Sequence, residues 1–148
     1  MKDIKKNYSV INAGPLESLS ERIYESSIGP YHGKYFIGQD LGLTGCECSL
    51  SRIPKGVGMP FVHAHKENEE LYIVIRGKGT FYIDGEEFPI QEGSLIRVDP
   101  PGARAWKADD EDLYIICIQT KAGSLNQATR QDGIIIQEPT SWLKTESN

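Results

Sequence analysis

The sequence predicts an all-β fold of barrel or sandwich type, on three observations. From Gly33 onward it is a succession of short runs rich in β-branched and aromatic residues. Gly, Pro, Asp and Lys separate these runs, and one of them holds a two-residue turn between alternating strands. With 148 residues the chain is expected to form one structural domain, long enough to bury a core and too short for two ordinary ones.

In chain order, "LESLSERIYE" places Leu16, Leu19 and Ile23 on one helical face behind Pro15, so a short N-terminal helix is expected within an arm of residues 1–32. Strands are then expected at "GKYFIG", "LTGCECSLSRI", "LYIVIRG", "TFYIDGEEFPI", "SLIRV" and "LYIICIQ", forming a barrel over 33–120. In the fourth of these runs Asp84-Gly85 supplies a turn that needs positive φ at both positions, so 79–84 and 86–90 should pair antiparallel.

In "CECSLSRI", Cys46, Cys48 and Leu50 alternate with Glu47, Ser49 and Ser51, which predicts the cysteines on the buried face. "LYIVI" and "LYIICI" are apolar at consecutive positions, as in strands covered on both faces by the opposing sheet, the terminal arms or a second subunit; a homodimer is one such arrangement. Residues 121–148, with a polar stretch and then "IIIQ" and Trp142, are expected as an extension packed on the barrel.

The formal charge of -5, from 21 acids against 16 bases, leaves no basic footprint for nucleic acid or an anionic membrane. A small molecule is the expected partner. No run approaches the ~18 apolar residues of a membrane span, and "MKDIKKNYSVINAGP" has no apolar signal core, so a soluble cytoplasmic protein is expected. Cys46, Cys48 and Cys117 have neither zinc-knuckle nor CxxC spacing and are read as buried free thiols.

Two of the three histidines, His63 and His65, stand one residue apart in "VHAHKENEE". In an extended segment they share a face while Ala64 points away, and two imidazoles on one face make half a metal site. Glu67, Glu69 and Glu70 follow, and a turn through "KENE" can bring a carboxylate opposite the imidazoles. Such a facial set leaves positions open for water or substrate and suits Fe, with Mn, Ni or Zn also compatible. The competing interpretation is a chance pairing on a polar strand beside a solvated turn.

These residues resemble the cupin superfamily, small β-barrels of jelly-roll type. In "HAHKENEELYIVIRG", His63, His65, Glu70 and Gly77 match the first cupin motif, with four and then six residues between the last three. "GSLIRVDPPGARA" resembles the second motif through Gly93, Pro100 and Gly102, with one extra residue before the proline, and Ala105 stands where that motif ends in histidine. The resemblance spans about residues 40–120. It implies a jelly-roll fold and a divalent metal held by His63, His65 and Glu70.

Three readings of Ala105 stay open. The metal has three protein ligands; or Gln119, Cys117 or His32 supplies another; or the site is a metal-free pocket in which the histidines hydrogen-bond a ligand. Arg104, with Arg97 on the preceding strand, could recognise a carboxylate or phosphate, although surface roles for both and a core role for Trp106 are the simpler assignment. Tyr72 and Tyr82 either line the barrel or pack.

The function expected is metal-dependent action on, or binding of, a polar small molecule. As an enzyme the protein would be an isomerase acting through a Lewis acid or a dioxygenase. The alternatives are a non-catalytic sugar- or metabolite-binding protein and a structural dimer with an idle site. No Ser/His/Asp or Cys/His arrangement supports a covalent hydrolase.

Overall fold

The computed structural model describes residues 7–143 and is predominantly β. Before the first strand, Leu16–Glu21 form a 3-10 turn in place of the expected α-helix. The serines explain the difference: Ser18 Oγ donates to Pro15 O at 2.7 Å and Ser20 Oγ to Glu17 O at 3.0 Å, local bonds that compete with helix propagation. Leu19 is nevertheless buried, pinning the turn to the body. The chain then forms a hairpin that the sequence did not reveal, β1 (Ile23–Ser26) with β2 (Gly29–His32).

The remaining strands are β3 (Lys34–Phe36), β4 (Glu47–Ile53), β5 (Asn68–Arg76), β6 (Lys78–Ile83), β7 (Glu86–Gln91), β8 (Leu95–Val98), β9 (Arg104–Ala108) and β10 (Leu113–Lys121). They form a five-stranded sheet ordered β3-β4-β10-β5-β8 and a three-stranded sheet ordered β7-β6-β9. The two pack face to face around Tyr72, Val74, Ile115 and Leu113 from one sheet and Phe81, Ile90, Trp106 and Ala108 from the other. This is broadly a jelly roll; the sheets are not joined edge to edge by a continuous ladder.

The Asp84-Gly85 turn forms as expected, with φ of 48° and 90°. β4 is oriented opposite to expectation. Ser49, Ser51 and Ile53 face the core, Cys48 and Leu50 face the other side and are half-buried, and Cys46 is exposed; only Cys117 is a buried thiol. The reason lies on both faces. Residues 9–11, Ala13, Ile37 and Leu41 line a hollow with Leu50, giving its outward face an apolar neighbourhood, while Ser49 pairs with the buried Cys117 on the inner face. Residues 121–143, expected to pack on the barrel, are exposed at each position.

Two glycines in left-handed conformations separate local strain from collision. At Gly77 (φ 94°) a Cβ would lie 2.0 Å from Asp112 O, whereas at Gly85 (φ 90°) it would meet nothing within 4 Å. Gly77→Ala is expected to cost about 3 kcal/mol or more and Gly85→Ala about 1 kcal/mol. Urea unfolding of both variants checks the order, and equal losses would contradict it.

Candidate metal centre and its cavity

His63 and His65 lie in the connection from β4 to β5, which runs extended along the start of β9. His63 N donates to Arg104 O at 3.1 Å, Arg104 N returns a bond to His63 O at 2.9 Å, and His65 N donates to Pro100 O at 2.8 Å. This pairing fixes the facing of the segment: both imidazoles are half-buried and Ala64 between them is exposed. Glu70 comes from the third position of β5 and is 4 % exposed. Its Oε1 lies 3.5 Å from His63 Nε2 and 3.1 Å from His65 Nε2, and ligand atoms of all three residues fall within 4.8 Å of one another.

The Glu70 carboxylate is the centre of a dense set of donors. Tyr72 Oη donates to Oε1 at 2.7 Å, and Cys117 Sγ donates to Oε2 at 3.0 Å. Burial pushes the carboxyl pKa up, but hydrogen bonds from His63, Cys117 and Tyr72 and the charge of His65 outweigh it and hold Glu70 well below the usual carboxylate range. The same burial pushes the Tyr72 hydroxyl and the Cys117 thiol far up, with the Glu70 charge adding to it, so both stay protonated donors. Burial also pulls the His65 imidazole below its ordinary value, with Arg104 and His63 assisting and Glu70 opposing.

On β9 the inward positions are Arg104, Trp106 and Ala108, and Ala105 faces away beside Tyr82. Ala105 is therefore not part of the site, and Arg104, for which a surface role was the simpler assignment, is no surface charge: it is 0 % exposed and occupies the place next to Glu70. Arg104 Nη2 lies 3.0 Å from Glu70 Oε1, at ion-pair distance without hydrogen-bond alignment. Arg104 Nη1 donates to Gly102 O at 2.6 Å, and Nε donates to Tyr72 Oη at 3.3 Å. The register is set by backbone pairing of Arg104 with both His63 and Ile83, which counting forward from Gly102 did not convey.

The other sequence candidates separate clearly. Cys117 reaches Glu70 directly. Gln119 pairs opposite Glu70 in the ladder and accepts a bond from Asn68 Nδ2 at 3.0 Å. Tyr72 belongs to the site and to the core, packing edge-on against Phe81. Tyr82 lies on the far face of its sheet, His32 is exposed on the β1–β2 hairpin, and Arg97 is exposed beside Asp99 and Glu69.

Beside the cluster is a cavity of about 610 Å³, with Tyr24, Tyr31, Phe36, Met59, Phe61 and Trp106 among its walls and with Lys34 and His63 as its basic groups. His63 is therefore shared by the cavity and the cluster. Lys34 pairs with Ser51, whose side chain faces the core, so it points inward from edge strand β3. Burial lowers its pKa, opposed by Cys117 and Glu70. Sequence reading missed this lysine; the period-2 alternation of Lys34 and Phe36 around Tyr35 in "GKYFIG" was the available signal.

The residues fit a divalent ion by their chemistry. A neutral-favouring imidazole at His65 and an ionised Glu70 are ready in the protonation states that ligands need, and His63 Nδ1 is a buried nitrogen without a hydrogen-bond partner among the described residues. His63, His65 and Glu70 could hold the ion; Tyr72, Cys117 and Arg104 would orient the carboxylate from behind.

Comparison with known proteins identifies the fold family. The cupin domain family matches residues 49–119. The crystal structure of a cupin protein from Bacteroides fragilis superposes with a TM-score of 0.74 at 36% identity, covering 88% of this chain and 98% of that one. A candidate sugar phosphate isomerase from Acidithiobacillus ferrooxidans gives a TM-score of 0.55 at 26% identity, covering 60% of this chain and 58% of that one. An uncharacterized protein from Methanocaldococcus jannaschii is 32% identical over 57 residues, 38% of this chain; the match spans 46%, less than half, of that protein's length. With the domain matched across both sheets and one relative aligned over nearly its whole length, this chain belongs to the cupin superfamily.

Proposed function

We propose that the protein holds one divalent metal ion, Fe, Mn, Ni or Zn, at His63, His65 and Glu70 and uses it to bind and convert a small oxygen-bearing molecule from the adjoining cavity. The observation that carries this reading is the convergence of two imidazoles and an ionised carboxylate within 4.8 Å, with His63 also forming cavity wall. When bound, the ion would supply Lewis acidity toward a substrate oxygen. Glu70 would be kept charged and oriented by Tyr72 and Cys117, while Arg104 offsets its charge and biases the open side toward an anion.

Of two reaction types, isomerisation of a hydroxy-carbonyl compound has the support of the Acidithiobacillus neighbour, and oxygenation has that of the facial donor set, which suits Fe(II). A second reading, metal-free ligand binding, is favoured by the Arg104–Glu70 pair: the cluster with neutral imidazoles already balances one positive against one negative charge. We also propose self-association through the outward face of β5 and β10, where Leu71, Ile73, Ile116 and Ile118 are only partly covered.

Elemental analysis of protein purified without chelator or metal-binding tag tests the main reading. One ion per chain is expected, with His65→Ala falling well below it while the fold persists; unchanged stoichiometry in the variant would remove His65 as a ligand. Arg104→Met is expected to lower stability by about 3 kcal/mol, because it leaves Glu70 without its buried cation, and Arg104→Met with Glu70→Gln should recover most of the loss. Denaturant unfolding of the three proteins measures this.

The sign of the His65 shift fixes a pH dependence. Its folded pKa lies below the ordinary 6.5, so the unfolded chain takes the proton first, and stability present above 6.5 is lost as pH falls below it. Chelator-stripped protein should therefore unfold at lower urea concentration at mildly acid pH, and His65→Gln should show a smaller drop; identical pH profiles would refute the linkage.

A further inference from the structure

The cavity combines an aromatic interior with one inward-facing cation, and that combination constrains its occupant more narrowly than the His/His/Glu cluster does. Rings and a thioether, from Tyr24, Tyr31, Phe36, Phe61, Trp106 and Met59, make up much of its wall, and Ser26 and Ser27 add hydroxyls. About 610 Å³ is the size of an ordinary small-molecule site. The Lys34 ammonium lies 4.9 Å from the centroid of Phe36 and 5.8 Å from that of Tyr31. Among the described residues no carboxylate forms an ion pair with it, while Glu70 and Cys117, which are not part of the cavity wall, act on it electrostatically.

The topology places this amine deliberately near the cluster. Lys34 and Phe36 project from β3 onto the face carrying Ser49, Ser51, Cys117 and Glu70, because β3, β4, β10 and β5 are neighbours in register. Half-buried against ring faces, this ammonium has no oxygen of the described residues as a hydrogen-bond partner, and an anionic oxygen would supply one. The wall offers a sugar serine and tyrosine hydroxyls but no carboxylate or carboxamide side chain, whereas a flat apolar body would lie against the rings as Trp106 lies beside Phe81.

We propose that Lys34 is the anion anchor of the cavity and that its ligand is a small aryl carboxylate, with the ring between the aromatic walls and the carboxylate between Lys34 and His63. This rests on the cavity and the His/Glu cluster being one binding site, as the function proposed above requires. The carboxylate accepts from Lys34 Nζ, leaving the His63 side of the same group directed toward His63, His65 and Glu70. Lys34 is thereby assigned to substrate class selection, and no proton transfer or covalent step is assigned to it.

The test is titration of the intact protein with benzoate and phenylacetate, with acetate, benzyl alcohol and ribose 5-phosphate as comparisons, followed by calorimetry and by Trp fluorescence in a Trp142→Phe background. Benzoate or phenylacetate should bind and change Trp106 emission, with acetate and benzyl alcohol at least about tenfold weaker, since each lacks one of the two recognised features. Lys34→Met should weaken aryl acid binding by about tenfold or more and Lys34→Arg should retain most of it. Equal binding of benzyl alcohol, preference for the sugar phosphate, no binding of either aryl acid, or an unaffected Lys34→Met would each overturn the proposal.

Elemental analysis of the titrated protein, purified without chelator, separates the two readings. Aryl acid binding by protein that holds no metal and takes up none when it is added back would sink the metal reading and leave the Lys34 assignment standing. Stoichiometric metal with no aryl acid binding would do the reverse.

Discussion

A carboxylate that is almost wholly removed from water must be surrounded by donors, and the Glu70 carboxylate organises much of the molecule in meeting that need. Tyr72 reaches it from the same strand, Cys117 from β10, Arg104 from the opposite sheet and both histidines from the connection between β4 and β5. The interaction thus ties together both sheets and a loop. A lone ionised carboxyl at this depth would instead take up a proton. Because its partners supply enough donors to keep it charged, the site is poised as a ligand set and also self-consistent without an ion.

Arg104 is the least expected member. A guanidinium in the core is tolerated only with partners, and here two backbone carbonyls, a tyrosine oxygen and a carboxylate surround it. Its fixed charge tunes the chemistry of the cluster: a metal placed there would share Glu70 with a permanent cation, so an incoming anion would be drawn by two positive centres. The lysine on β3 extends the same bias outward into the cavity.

Much of the fold could be read from residue order. Alternation and punctuation located the strands from β3 to β8 and β10, and Asp84-Gly85 located its hairpin, because those signals are local. β1, β2 and β9 were missed: Ile23 and Tyr24 were absorbed into a helical face that serine side chains interrupt, and "RAWKA" carries too little β-branched character to stand out. The direction of burial on β4 and β9 was also lost. Cys48 outward, Ser49 inward and Arg104 inward depend on what covers each face and on pairing with distant strands, which a single strand does not encode. His63, His65 and Glu70 were legible because their spacing is tied to one strand connection, whereas Lys34 joins the site only through three successive ladders.

His63 stands at the boundary between two compartments, one wall of the cavity and one corner of the cluster. Its backbone is fixed by two hydrogen bonds with Arg104, and because one ring serves both, a turn of that ring toward one changes the wall of the other. With both filled as proposed, their occupancy would be linked as in any heterotropic pair: whatever free energy an ion gained from a seated organic ligand, the organic ligand would gain from the ion. A single imidazole ring would then make the protein a two-input binder, whose response to either small species is scaled by the supply of the other.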